Sequence, residues 1–261
     1  MALLERIGQR TTNRITQGLY ALGFFALVFG KTGRYLIRRK SRRVLVNQIL
    51  FTGVEALPII AVLSLALGVV IIIQGVALLP QFGQGDLIYT ILIATITREL
   101  GPVLTGFIVT ARSGTAIATE LGNMVVAREV EAYEASGIDP VEYLIVPRVL
   151  GVAISVVLLN LYFNAFGLLG SFFVTALIRT IGFQEYFGNL LEALKVADVI
   201  VSILKSLAFG IIISVTATYF GMRVEQASTE VPVMTIRSVG RGFVLLIVAN
   251  AVLTLSYYLV S

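Results

Sequence analysis

The run "LPIIAVLSLALGVVIIIQGVALL" (Leu57–Leu79) sets the main constraint on this chain. It holds 23 residues without one charge. At 1.5 Å per residue a helix of that length spans about 35 Å, enough to cross a hydrocarbon core of about 30 Å. In such a medium no water serves the backbone, so the segment must satisfy its own N–H and C=O groups as a helix. Four more blocks of this kind follow. The expected spans are Val54–Leu79, Leu87–Arg112, Val141–Leu177, Val199–Phe220 and Phe243–Val260. The third is about 37 residues, or ~55 Å as one straight helix. It is expected to begin outside the membrane, to tilt, or to break near Gly167 and Gly170. Overall, 57% of the residues are hydrophobic and 13% charged, where soluble domains carry about 25% charge. The fold class is therefore an all-α membrane protein with five transmembrane helices, one domain over residues 1–261.

Cysteine and histidine are absent from the sequence. Thiol chemistry, disulfides and histidine acid–base catalysis are excluded, and zinc sites are disfavoured. The net charge of +5 is unevenly placed. Ten of the twenty Lys and Arg precede residue 44, against one acid, Glu5. So basic an arm fits a nucleic acid or a membrane surface. Because it leads straight into apolar spans, the membrane surface is the expected partner, and no nucleic acid. Arg6, Arg10 and Arg14 recur every four residues, one helical stripe. The apolar run Leu19–Phe29 is too short to cross. Residues 1–43 are expected to form an amphipathic helix in the interface and a basic cytoplasmic arm. "GKT" at Gly30–Thr32 fails as a nucleotide loop, because Phe25 stands where the first glycine belongs. Short loops rich in Lys and Arg mark the cytoplasmic side. By that rule the N-terminus and the loops around Arg128 and Arg237 are cytoplasmic, the loop Pro80–Asp86 is outside, and the C-terminus is periplasmic.

Polar groups inside the oil are the candidate substrate path. In "ATITRELGPVLTGF" (Ala94–Phe107), Arg98 is expected near mid-depth, where a bare Arg costs at least about 2.5–3.5 kcal/mol. Glu99 is adjacent, but helical neighbours point about 100° apart and do not simply neutralise each other. Pro102 has no N–H, so the Arg98 carbonyl loses its helical partner. Gly101 invites a kink or a close backbone contact. Arg98 and Glu99 read equally well as a polar lining and as a network fixing helix packing. Gln74 in the first span is a third polar point. Asn160 and Asn164 share one face and read first as interhelical hydrogen bonds. In "ARSGTAIATELGNM" (Ala111–Met124), small residues four apart favour close helix approach, with Arg112 and Glu120 on one face.

The stretch "AREVEAYEASGIDPVEYLIVPR" (Ala127–Arg148) holds five of the fifteen acids, between blocks of oil. A helix is expected from Val125 to Ser136. Gly137 ends it, Asp139 caps the next helix and Pro140 suits that helix's first turn. The first helix has about three turns and needs a partner. It reads as a docking knob for a soluble protein, in preference to a loop packed on the chain's own base, because the chain lacks an energy-coupling motif of its own.

"RELGPVLTGFIVTARSGTAIATELGNM" and "GIDPVEYLIVPR" resemble the MlaE/YrbE family of ABC-transporter permeases, over nearly the whole chain. The resemblance implies an inner-membrane permease that moves phospholipids or related lipids between the inner membrane and the outer envelope, sustaining outer-membrane lipid asymmetry. It implies a second permease copy as a homodimer, a cytoplasmic MlaF-type ATPase carrying ATP and Mg, a STAS-domain subunit, and a hexameric ring of MCE domains outside. This chain itself would hold no cofactor, no metal and no catalytic residue. The helix near Met124–Gly137 would be the coupling helix, its surface made by Arg128, Glu129, Glu131, Tyr133, Glu134, Gly137 and Asp139. Many relatives open that helix with a Thr-Glu-Gln-like run; here Ala127 and Arg128 stand there. The same stretch loosely resembles the EAA loop of small-solute importers, at Glu131-Ala132, Gly137, Ile145 and Pro147, with a shorter spacing. Two other classes remain open. One is an ion-coupled secondary transporter using Arg98 and Glu99 as a relay. The other is a scaffold anchoring an ATPase and an outer lipid-binding ring.

Overall fold

The structure, a computed structural model, describes residues 23–33, 35, 42–78, 87–179, 182–225 and 227–260. The Arg6, Arg10 and Arg14 stripe and the loop Pro80–Asp86 lie outside them. No strand occurs among the described residues. The helices are α1 (23–33), α2 (Arg42–Gly53), α3 (Leu57–Leu78), α4 (Ile88–Ile93), α5 (Gly101–Val109), α6 (Thr115–Val126), α7 (Glu129–Ala135), α8 (Val146–Arg179), α9 (Phe183–Ala193), α10 (Val196–Gly221) and α11 (Glu230–Val260). Several are segments of longer rods. Five continuous stretches are long and apolar enough to cross a membrane: Val44–Leu78, Ile88–Val126, Val141–Leu177, Val196–Gly221 and Glu230–Leu259.

The five expected spans are therefore present, the third with the expected bounds and the other four longer. The first rod starts at α2 and tightens to a 3-10 turn at Val54–Ala56. Pro58 follows two residues after this turn, and its missing N–H leaves the Val54 carbonyl without an i+4 donor. The second rod runs past Arg112 to Val126, with wide π turns at Ala94–Leu100 and Thr110–Gly114. Its 39 residues make about 58 Å, so α6 carries the chain well beyond a bilayer. The fifth rod starts at Glu230 rather than Phe243, because its polar first turns, with Arg237 and Arg241, need no oil. The third block is unbroken: α8 is helical through Gly167 and Gly170. Those glycines mark close approach instead. A Cβ on Gly170 would stand 2.6 Å from the Leu65 carbonyl, and Gly68 of α3 meets the Gly167 backbone.

Close approach is the main cohesive device here. Lipid tails are as apolar as leucine, so the hydrophobic effect does not drive helices together inside a bilayer; packing and hydrogen bonds do. Gly210 of α10 lets the helix lie against Ala153 of α8, where a Cβ would be 2.5 Å from its Cα. The two small-residue surfaces seat α3 and α10 on α8. In its most apolar window α8 is 72% buried, against 11% for α11. α8 is thus the hub, and α11 shows most of its surface to whatever surrounds the chain. α6 bonds to α11 through Thr119 Oγ1 and Thr235 Oγ1, 3.1 Å apart. The small-residue stretch Ala111–Met124 behaves as expected: Ala118 packs against Gly221. Arg112 and Glu120 diverge, however. Arg112 pairs with Glu55 and donates to the Phe51 carbonyl at 3.0 Å, whereas Glu120 takes Arg148 at 2.8 Å.

Candidate functional site

One end of the bundle gathers four charges. Arg98 lies in the π turn Ala94–Leu100. Its Nη2 donates to Tyr258 Oη at 2.7 Å, and its Nη1 lies 3.4 Å from the Asp198 carboxylate. The guanidinium also sits 5.1 Å and 5.2 Å from the Tyr257 and Tyr258 ring centres, within cation–π range. Its Nε is 3.7 Å from Glu99 Oε1, an ion pair without a hydrogen bond. Glu99 finds its better partner in Lys205, whose Nζ is 2.8 Å from Oε2. Lys205 is fully buried in mid-helix α10. It also donates to Thr254 Oγ1 at 2.7 Å and to the Arg98 carbonyl at 3.1 Å. That carbonyl is the one Pro102 leaves without a helical donor, and Lys205 occupies it.

Two cations and two carboxylates thus cancel in one cluster drawn from the second, fourth and fifth rods. Asp198 is in the first turn of α10, and Tyr258 is near the end of α11. The Arg98 guanidinium thus reaches toward the ends of α10 and α11, while its carbonyl is level with Lys205 in mid-helix. Residue 98 is the eleventh of the 39 residues of the second rod, about 15 Å from its start. Arg98 Nε, Glu99 Oε1, Thr97 Oγ1 and Asn250 Oδ1 are buried without hydrogen-bond partners. Beside the cluster, Ala197, Ile200, Val201, Leu204, Leu253 and Tyr257 wall an open groove of about 480 Å³ that reaches Lys205. Gln74 does not join. It is exposed on α3 and makes no hydrogen bond to the cluster. Asn160 does what an interhelical polar group does, donating to Ser202 Oγ at 2.8 Å. Gly101 permits the close contact: a Cβ there would be 2.6 Å from Asn164 Oδ1 and 2.8 Å from Asn160 Oδ1.

The opposite end carries α7. The expected single helix from Val125 is interrupted at Ala127–Arg128, where Arg128 takes a left-handed φ of 59°. This swings α7 out of line with α6. Val130 is its buried anchor, and Glu129, Glu131 and Glu134 are exposed. Tyr133 is half-buried, its ring 5.4 Å from Tyr143. The end of α7 is doubly closed: Gly137 N–H donates to Glu134 O, and Ile138 N–H donates to Tyr133 O, both at 2.9 Å. This pairing needs a left-handed residue at position 137, and Gly137 supplies it at φ 74°. Asp139 then accepts from the Val141 N–H at 3.0 Å, capping the next helix as expected. Its carboxylate also pairs with Lys31 of α1. Burial raises the Asp139 pKa, but the Lys31 and Val141 hydrogen bonds outweigh it and hold the carboxyl below its ordinary value. Glu129, Ala132, Tyr133, Ser136 and Ile138 line a shallow groove of about 320 Å³.

The model of the MlaE permease family matches residues 45–256. The chain belongs to that family. It is 31% identical over 211 residues to a probable ABC transporter permease protein of Rickettsia typhi, covering 81% of this chain and 82% of that protein. It is 25% identical over 217 residues, 83% of each chain, to the intermembrane phospholipid transport system permease protein MlaE of Haemophilus influenzae. To the chloroplastic protein TRIGALACTOSYLDIACYLGLYCEROL 1 of Arabidopsis thaliana it is 29% identical over 207 residues, 79% of this chain and 59% of that one.

In this permease the sequence reading found Arg98 and Glu99 but missed Asp198, Lys205, Thr254, Tyr257 and Tyr258. A signal for two of them existed. Asp198 and Lys205 are seven apart, one helical face, and Lys205 is a lone cation inside "VIVSILKSLAFGIII". The tyrosines gave none, since aromatic residues at a span's end serve equally as interface anchors. The seven residues expected to make the coupling surface all lie in or beside α7. Arg128, Glu129, Glu131, Glu134 and Gly137 are exposed, and Tyr133 and Asp139 are partly buried.

Proposed function

We propose that this MlaE-family ABC permease moves phospholipid or a related lipid between the inner membrane and the outer envelope. The observation that carries the reading is the two-ended layout. An apolar-walled groove meets a neutral cluster of four charges at one end, and an exposed acidic helix on a rigid turn stands at the other. A lipid needs apolar walls for its tails and polar points for its head. Arg98 Nε and Glu99 Oε1 are buried without hydrogen-bond partners, and opening of the cluster would free them for a head group. The name of the Haemophilus relative supports the same substrate class. Nothing in the family description or the site calls for catalysis by this chain.

In this reading a cytoplasmic ATPase of the MlaF type docks on α7 and supplies the force, with ATP and Mg held there. α7 moves as a lever because Arg128 and Gly137 fix its direction at both ends. A second permease copy covers the bare face of α11 to form a homodimer. A STAS-domain subunit and an MCE-domain hexameric ring complete the complex, the ring on the periplasmic side. The charged cluster lies at that outer side, and the N-terminus is cytoplasmic. Exchanging Glu134→Arg reverses an exposed charge on α7, and Gly137→Pro forbids the left-handed turn. Either change, in the purified complex, is expected to release the ATPase and stop lipid transfer between labelled vesicles. Retained ATPase association together with retained transfer would overturn the coupling assignment.

A further inference from the structure

At the α7 end, four described basic residues behave differently from the rest. Lys31, Arg112 and Arg148 each have a carboxylate partner: Asp139, Glu55 and Glu120. Arg128, Arg223, Arg237 and Arg241 have none. Two of these four, Arg223 and Arg241, line one pocket. The pocket is formed where α1, the end of α10 and α11 meet, and its accessible volume is about 90 Å³. Phe25, Phe220 and Leu245 give it apolar walls, and Tyr219 and Thr216 complete it. Arg223 is held in place. It donates to Tyr219 Oη at 2.8 Å and lies 5.3 Å from that ring's centre. The Tyr219 ring is in turn braced edge-on by Phe24, at 5.6 Å. Thr216 is almost fully buried, yet its hydroxyl has no partner. The neighbouring hydroxyls of Ser214 and Thr218 do bond back to carbonyls four residues earlier.

We infer that this pocket binds the phosphate of an anionic phospholipid, at a site separate from the charged cluster at the other end. Two unpaired guanidiniums facing one small cavity are complementary to a phosphodiester, which accepts hydrogen bonds in the fork geometry that Arg presents. The volume suits a head-group phosphate, not a whole lipid. The tails have a track: Leu245, Val248 and Val252 follow at i, i+3 and i+7 along α11, with Val248 and Val252 exposed. The last carbonyls of α10 bring a partial negative charge nearby, which opposes an anion. Two full positive charges outweigh that fraction. Basic pockets between transmembrane helices on the cytoplasmic side are where anionic head groups lodge. That the leaflet is the cytoplasmic one rests on the orientation proposed above. Binding itself does not, and it is measured without transport.

The test uses the full-length chain with its accompanying subunits, purified in detergent and stripped of lipid. Phosphatidylglycerol, phosphatidylcholine and inorganic phosphate are titrated separately, and occupancy is read by native mass spectrometry. Phosphatidylglycerol is expected to bind preferentially over phosphatidylcholine, and millimolar inorganic phosphate is expected not to displace it. One membrane-surface cation is worth about fivefold in affinity, so R223Q/R241Q is expected to weaken phosphatidylglycerol by roughly 25-fold. R237Q removes the same charge one turn away, outside the pocket, and is expected to cost less than about twofold. Should the double variant fail to fold, R223Q and R241Q singly are each expected to cost about fivefold. Unchanged binding in the arginine variants, an equal loss in R237Q, or displacement by inorganic phosphate would each overturn the proposal.

Discussion

Lys205 gives the sharpest test of the charged cluster. Replacing Lys205→Met keeps an unbranched side chain, one atom shorter, and removes its charge. Three hydrogen bonds are lost, to Glu99 at 2.8 Å, Thr254 at 2.7 Å and the Arg98 carbonyl at 3.1 Å. In membrane proteins such bonds average about 0.6 kcal/mol each, which gives about 2 kcal/mol. Glu99 is then left with Arg98 at 3.7 Å as its remaining cation. Removing one partner of a buried pair costs about 3–5 kcal/mol, an upper bound here because Glu99 is partly exposed. The expected loss is therefore about 2–4 kcal/mol. Glu99→Gln is expected to cost a similar amount, since it leaves the buried Lys205 ammonium with neutral acceptors only. The double variant has neither orphan. It is expected to be about 1–2 kcal/mol more stable than the sum of the two losses predicts. Equilibrium unfolding in mixed detergent micelles, run on all four proteins, closes the cycle. Additivity within about 0.5 kcal/mol would refute the claim that Lys205 and Glu99 act as one unit. If all three variants transport lipid at the wild-type rate, the cluster serves packing and not the substrate.

Two further outcomes follow from particular contacts. Gly101→Ala sets a methyl group within 2.6–2.8 Å of Asn164 Oδ1, Ile96 O and Asn160 Oδ1, so both asparagine side chains must turn away and the Ile96 carbonyl must shift; a loss of about 1–3 kcal/mol is expected, read as a lower melting temperature. The Asp139 carboxyl titrates below its ordinary value in the folded protein, so its contribution to stability is present above the unfolded pKa and is lost as pH falls through the folded one; Asp139→Asn is expected to flatten stability between neutral pH and that acid range, and an unchanged acid limb in thermal melts would refute it.

The spans were legible because hydrocarbon imposes one rule on every residue: a run of apolar side chains long enough to cross must be a helix. The turn at Gly137–Pro140 was legible for a different reason. Its geometry is set by residues within five positions of one another, so local chemistry is sufficient. Rod ends were less so. Val126 and Glu230 are helical beyond the oil, where composition no longer distinguishes helix from loop, and the left-handed Arg128 carries no residue signal at all. The cluster shows the same division. Arg98 and Glu99 stand out as charges in an apolar block, but what they mean depends on Asp198, Lys205 and Tyr258, which are 99 or more positions away in sequence. Reach is also a relation between rods. The Arg98 carbonyl is level with Lys205 in mid-helix α10, yet its guanidinium extends to Asp198 and Tyr258 near the ends of α10 and α11. The level at which its charge acts is set by those partners, and the sequence of its own rod does not name them.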